Sequence, residues 1–331
     1  MRLKDMINTK EKNLLQVNRL KKTFPVQGGI FQKTKKSVKA VDEVSLFILQ
    51  GQTLGLVGES GCGKSTLARV ILKLIPPDGG NILYKGQDIV PLPERNLKSF
   101  RQEVQLVFQD PHGSLNPKMT VGSTIKDGLR VMGLGKKYRS KRLDELIEMV
   151  GLPQQITKLY PHELSGGQCQ RIGLARALSV NPQIIILDEP ISALDVSIQA
   201  QIINLLQELQ ERLQISYLFI SHDLNVVGYL SDFVAVMYLG QIVEYATSEE
   251  LYTSSLHPYT QALLSATPQI STEFTDNQYY RLTGEIPDPT DPPGGCRFHT
   301  RCPYADSKCQ NTTIPLFSLN NSHRVRCLKI A

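Results

Sequence analysis

Residues 53–71 read TLGLVGESGCGKSTLARVI, and the middle of that stretch decides the fold. TLGLV has the length and apolar character of a buried strand, while STLARVILKLI carries helical spacing and runs into Pro76-Pro77, where it is expected to stop. Between them Gly58, Glu59, Ser60, Gly61, Cys62, Gly63, Lys64 and Ser65 fit G-x-x-x-x-G-K-[ST], the phosphate-binding loop. Glycines let successive backbone N–H groups converge on phosphate, and the helix that follows adds the positive end of its dipole. Lys64 supplies a point charge for the β and γ phosphates, the Ser65 hydroxyl can ligate Mg²⁺, and Thr66 is counted with the nucleotide-binding residues. A strand before the loop and a helix after it are the context that separates this motif from a chance match.

Working outward, IIILDE at 184–189 is a short buried strand that ends in two acids. Ligands bind beyond the carboxyl ends of strands in open α/β sheets, so Asp188 is read as a Mg²⁺ partner and Glu189 as the general base for water. Taken alone, "DE" before a proline also fits a helix-capping turn; downstream of a phosphate loop the catalytic reading takes over. His222 closes the next strand, SYLFISH, and is read as a γ-phosphate contact that also orients Glu189. Gln109, at the end of VQLVFQ, could hold metal or water through its amide, or simply a loop hydrogen bond. LLQVNRL and AVDEVSLFIL alternate like strands around the loop GGIFQKTKK, and NILYKGQDI reads as a strand pair turning at Lys85-Gly86. SIQAQIINLLQELQERL is amphipathic, with Ile198, Ile202, Leu205, Leu206, Leu209 and Leu213 on one side. Strand–helix alternation broken by a helical stretch at about 110–180 argues for an α/β core with a parallel sheet.

The 331 residues are 41% apolar and 21% charged, ample for a core and ordinary for a soluble chain. No run approaches the roughly 18–20 apolar residues that span a bilayer. MRLKDMINTKEKN is charged throughout and lacks the apolar core of a secretory signal, so a protein kept in the cytosol is expected. Residues 1–40 hold eleven Lys/Arg against two Asp/Glu, so the net +6 is a local feature of one end. That end reads as a solvated basic stretch or as an arm for nucleic acid or anionic membrane.

LSGGQCQR, residues 164–171, then places Ser165, Gly166, Gly167 and Gln168 at a bare helix N-terminus, a second anion-seeking site. The order of motifs (phosphate loop, Gln109, LSGGQ, Asp188-Glu189, Ser192-Ala193-Leu194-Asp195, His222) resembles the ATP-binding-cassette (ABC) ATPases, with LSGGQ the discriminating element. The resemblance implies a RecA-like parallel-sheet core with an antiparallel β subdomain and an inserted helical subdomain. It implies that LSGGQ and Asp195 of one subunit cover ATP held by another, and that Phe24 stacks on adenine. FQDPHGSLNP, YPHELSGGQ and HPYTQALLSATP are similar to the oligopeptide/dipeptide permease ATPases, and GESGCGKST to their F-type subunit. That implies residues 1–12 as a basic segment, 13–245 as the ATPase domain and 246–331 as a family-type extension. It also implies a second ABC ATPase, two membrane permease subunits, an extracytoplasmic binding protein, and a peripheral place on the inner face of the membrane. Nickel, glutathione or another small cargo is the alternative within the class. A soluble cassette ATPase of translation or DNA repair is the alternative outside it, disfavoured by a single cassette with no coiled-coil or zinc insertion. Cys169 departs from relatives that carry Arg or Gln there, and is expected to remove a polar group near the partner's nucleotide.

Six cysteines complete the reading. Cys62, at a helix N-terminus beside Lys64, is expected to have a lowered thiol pKa and to block hydrolysis when alkylated, unless it is merely a small residue that fits. Cys296, Cys302, Cys309 and Cys327 lack zinc-ribbon CxxC pairs. Four thiolates suit zinc or iron–sulfur, with His299 or His323 as substitute ligands, and unligated thiols are the alternative. Some permease ATPases of this type carry an iron–sulfur cluster on a similar tail, so the resemblance leans toward [4Fe-4S].

Overall fold

The computed structural model describes residues 13–26, 36–266, 284–320 and 322–330. The basic segment 1–12 and most of GGIFQKTKK lie outside the described residues. In chain order the elements are β1 (Asn13–Pro25), β2 (Ser37–Leu49), β3 (Thr53–Val57), α1 (Lys64–Ile71), β4 (Gly79–Tyr84) and β5 (Gln87–Asp88). Then come α2 (Lys98–Glu103), β6 (Val104–Val107), α3 (Val121–Val131), α4 (Lys136–Met149), α5 (Gly166–Leu178), β7 (Ile184–Asp188) and α6 (Val196–Leu213). The last are β8 (Ser216–Ile220), α7 (Leu224–Leu230), β9 (Phe233–Tyr238), β10 (Gln241–Thr247), α8 (Ser248–Ser254), α9 (Pro258–Ser265), α10 (Ser307–Asn311), β11 (Phe317–Ser318) and β12 (Arg324–Val325).

Two compact units form. The first holds the described parts of Met1–Phe47, Leu54–Pro91 and Ser221–Ala331. Its antiparallel sheet runs β2-β1-β4-β5, and the β4–β5 turn has positive φ at both Lys85 (48°) and Gly86 (81°), as a two-residue hairpin loop requires. Its other strands run β11-β12-β10-β9-β3, with β3 parallel to β9 from Leu54 opposite Phe233 to Val57 opposite Val236. All of β3 is buried, which anchors the strand that delivers the phosphate loop. The cysteine-bearing tail ends in this unit too: β12 pairs with β10, Glu244 opposite Val325 and Tyr245 opposite Arg324. Helix α1 stops at Ile71, earlier than the prolines demand, because Lys73 turns left-handed (φ 52°). Its Nζ then donates to the carbonyls of Ile89 (3.0 Å) and Val90 (2.8 Å).

The second unit holds Ile48–Thr53 and Leu92–Ile220. Its strands run β8-β7-β6, all parallel, with the helices α3, α4 and α5 carried between β6 and β7. Ile184, Ile185, Ile186 and Leu187 have no exposure, and burying four such side chains contributes roughly 8 kcal/mol before entropy is counted, holding Asp188 at the strand's end. On α6 the buried side is Ile202, Ile203, Leu205, Leu206 and Leu209. Leu213, expected with them, is exposed, because Gln214 turns left-handed (φ 55°) and ends the helix there.

Candidate nucleotide site

The phosphate loop is shaped by what surrounds it as much as by its ligand. A methyl group on Gly58 would stand 2.2 Å from the Met237 carbonyl oxygen, and one on Gly63 2.1 Å from that of Ala40. Both positions also have φ well above zero, 153° and 110°, so only glycine fits. Lys64 is buried, and its Nζ donates to the carbonyls of Gly58 (2.7 Å) and Glu59 (3.1 Å). Ser65 and Thr66 are half-buried in the first turn of α1, whose N-cap Gly63 offers no side-chain cap; Ser60 and Gly61 are exposed. A helix start without a side-chain cap is what an anion needs.

Cys62 corrects an expectation. It is buried, and desolvation raises its thiol pKa, outweighing the Lys64 ammonium 3.9 Å away and the loop's backbone N–H. The charged neighbour still lowers the thiol, but burial raises it by more.

In the second unit, Asp188 is buried at the end of β7. Glu189 follows in the left-handed region (φ 47°), a strained setting for a non-glycine residue. Its N–H donates to the Ile220 carbonyl (3.0 Å), and its carboxylate accepts from Gln109 Nε2 (2.9 Å). Gln109 and Glu189 are thus brought together, with the glutamine's Oε1 the atom left for metal or water. His222 stands exposed two residues beyond the end of β8, just before Asp223 caps α7. Phe24, near the end of β1, is half-buried with Lys22 Nζ 5.5 Å from its ring centroid.

The LSGGQ helix is capped rather than bare. Ser165 Oγ accepts from the Gln168 N–H (3.3 Å), and Gln168 Oε1 accepts from the Ser165 N–H (2.9 Å). Such a box satisfies two donors and leaves the N–H groups of Gly166 and Gly167. Both glycines face the neighbouring motif: a methyl on Gly166 would stand 3.2 Å from Leu194 Cδ2, and one on Gly167 2.7 Å from Ile198 Cγ2. Asp195 is the exposed N-cap of α6. Cys169, expected near the partner's nucleotide, is buried within its own unit. It has no exposure, lies 3.5 Å from His112 Nδ1 and 3.7 Å from the Pro161 carbonyl, and burial pushes its thiol up to about 11. It sits on the inward face of α5 with Ile172, where a packing residue is needed.

The geometry is that of a known family. The oligopeptide transport ATP-binding protein AppF of Bacillus subtilis is 50% identical over 325 residues, 97% of this chain and 99% of that one. The chain belongs to the ABC transporter ATP-binding subunits. Residues 41–192 match the ABC transporter family model, and residues 243–309 match that of the oligopeptide/dipeptide transporter C-terminal region. The oligopeptide transport ATP-binding protein OppF of Escherichia coli is 46% identical over 96% of this chain and 97% of its own. A dimeric post-hydrolysis structure of the ATP-binding cassette MJ0796, bound to ADP and Pi, superposes with a TM-score of 0.64 at 28% identity, covering 71% of this chain and 98% of that one. The fold is therefore the RecA-like ABC ATPase fold with antiparallel and helical subdomains, and the chain is an ATP-hydrolysing translocase subunit.

Two groups of residues escaped the sequence. Glu59, assigned only as a loop position, has its carboxylate on Arg301 and its N–H on Tyr259 Oη. Glu244 is fully buried with His323. HPYT belongs to a stretch singled out in the sequence, but nothing in its spacing names these partners. The four tail cysteines line one cavity of about 20 Å³ with His257, Phe298 and His299. Burial pushes the Cys296 thiol up to about 11 and raises those of Cys302 and Cys327. Of the two histidines offered as substitute ligands, His323 gives Nε2 to Glu244 (2.8 Å) and His299 sets Nδ1 against the Cys296 carbonyl (2.8 Å). Among the described residues no three acids, histidines or cysteines are arranged to hold a single metal ion.

Proposed function

We propose that this chain powers an importer of oligopeptides or dipeptides, pairing with a second ABC ATPase beneath two membrane permease subunits fed by an extracytoplasmic binding protein. The observation that carries the reading is full-length similarity to two oligopeptide transport ATP-binding proteins, extending through the C-terminal region. No described helix is long and apolar enough to cross a membrane; the chain sits peripherally at the inner face of the membrane, attached through the permease subunits. Phe24 stacks on adenine; residues 58–66 cradle the phosphates, with Lys64 on the β and γ groups. Ser65, Gln109 and Asp188 offer a hydroxyl, an amide oxygen and a carboxylate, the hard oxygen donors Mg²⁺ takes, and the ion when bound neutralises phosphate charge. Glu189 takes the proton of the attacking water, oriented by Gln109 and assisted by His222 on the γ phosphate. Ser165, Gly166, Gly167, Gln168 and Asp195 close over the ATP of the partner ATPase.

Tagged protein purified from detergent-solubilised membranes should carry a second ATPase and two polytopic subunits, identified by mass spectrometry. Recovery from the soluble fraction with ribosomes or nucleic acid would refute the transport reading. Glu189→Gln should bind ATP normally and slow hydrolysis by about 100-fold or more; near-normal turnover removes the general-base assignment. For the tail, four thiols line one cavity, a donor set that suits zinc or iron–sulfur, and the resemblance to permease ATPases with a similar tail favours a [4Fe-4S] cluster. Cys296, Cys302, Cys309 and Cys327 would hold it as a structural staple. Iron and sulfide absent after anaerobic purification would remove that assignment.

A further inference from the structure

Nothing in phosphate chemistry asks for an acid in a phosphate loop, since a carboxylate there repels the triphosphate. Glu59 is nevertheless such an acid, and its surroundings answer for it. Arg301 grips it with both arms of the guanidinium, Nη1 to Oε2 at 2.8 Å and Nη2 to Oε1 at 3.2 Å. The Arg301 side chain is 5% exposed and that of Glu59 22%, so the pair is largely shielded. Arg301 Nη1 also reaches Tyr238 Oη at 3.4 Å, and the guanidinium lies 5.9 Å from that ring's centroid. The backbone of the same loop residue is held as well: the Glu59 N–H donates to Tyr259 Oη at 2.9 Å. Tyr238, Tyr259 and Phe298 pack ring against ring at 4.7 to 5.4 Å, so these anchors stand on a rigid base. On the inner side, the carbonyls of Gly58 and Glu59 hold Lys64 Nζ.

We propose that Arg301 is a positioning residue for ATP binding: from the C-terminal region it clamps Glu59, and through it the two carbonyls that aim Lys64. A loop with three glycines at positive φ is costly to order, and fixing it before the nucleotide arrives removes that cost from binding. The fork also neutralises the loop's own carboxylate, so the phosphates meet no net negative charge from it. The matched C-terminal family region, residues 243–309, contains both Tyr259 and Arg301, which gives that region a task at the nucleotide. A pair serving only to fasten the tail would affect stability without touching ATP affinity.

This rests on the ATP-site reading above; a wild-type chain that does not bind ATP refutes that reading and the clamp with it. With full-length protein and Mg-ATP as the probe, Arg301→Gln should weaken equilibrium binding about tenfold or more, as loss of a charged hydrogen-bonded pair does. The loss should appear mainly in the KM for ATP, with kcat reduced by less, because the clamp orders a loop that must bind the phosphates before it acts on them. In a Glu59→Gln background the same Arg301→Gln change should have no further effect on ATP affinity, since the arginine acts through the glutamate. Affinity within about twofold of wild type in Arg301→Gln, or full additivity of the two changes, overturns the proposal. If Arg301→Gln does not fold, Arg301→Lys decides: it keeps the charge and gives up the fork. Several-fold weaker binding then supports the clamp, and wild-type affinity overturns it.

Discussion

Glu244 offers the sharpest test of how the C-terminal region is held. It lies on β10 with no exposure, and three donors converge on it. Oε1 accepts from the Leu256 N–H (2.8 Å) and faces His323 Nε2 (2.8 Å); Oε2 accepts from the His257 N–H (3.0 Å). One carboxylate therefore ties β10 to the start of α9 and to the residue preceding β12. His257 in turn caps α9, its Nδ1 accepting from the Tyr259 N–H (3.1 Å). Glu244→Ala would leave a buried imidazole and two buried N–H groups without their acceptor. Removing one partner of a buried pair costs about 3–5 kcal/mol, and the orphaned donors keep the loss at the upper end. Glu244→Gln preserves the volume but sets an amide N–H₂ against a donor, for a loss of about 2 kcal/mol. At roughly 2–4 °C per kcal/mol for a chain of this size, the thermal midpoint should fall by at least about 8 °C in the alanine variant and about half that in the glutamine one. Thermal unfolding of the full chain near neutral pH measures both. A midpoint within about 2 °C of wild type for Glu244→Ala would show that the network is ornamental.

Three further outcomes are expected. Gly63→Ala forces a side chain into the Ala40 carbonyl at φ 110° and should cost at least ~2 kcal/mol while abolishing measurable ATP binding, read by calorimetry. Gly167→Ala meets Ile198 at 2.7 Å whereas Gly166→Ala meets Leu194 at 3.2 Å, so the first should destabilise by about 1–3 kcal/mol and the second by less; equal midpoints would contradict the packing. Cys62, buried and with its thiol raised, should react with iodoacetamide at least about tenfold more slowly than free cysteine, with a rate still climbing above the ordinary thiol range; fast labelling lost in Cys62→Ser would reinstate the low-pKa reading.

How much the sequence alone determined follows from how far apart the interacting groups lie. The phosphate loop, the acids ending β7 and the LSGGQ helix were legible because each is one contiguous stretch, set by apolar runs, glycine freedom and helix ends over a few residues. The amphipathic side of α6 was legible for the same reason, except at its ends, where Ile198 is only half-buried and the stop at Gln214 leaves Leu213 exposed. Cys62 was misjudged because its charged neighbour is visible in sequence while its burial is not, and burial is the larger effect. Cys169 was misjudged likewise: its motif points at a nucleotide, but its place on α5 points inward. Only the tertiary structure could join Glu59 to Arg301, Gln109 to Glu189 and Glu244 to His323, pairs separated by 242, 80 and 79 residues. Charged and polar side chains leave no periodicity in a sequence. Their partners are decided by which surfaces the packed core brings together and closes to water.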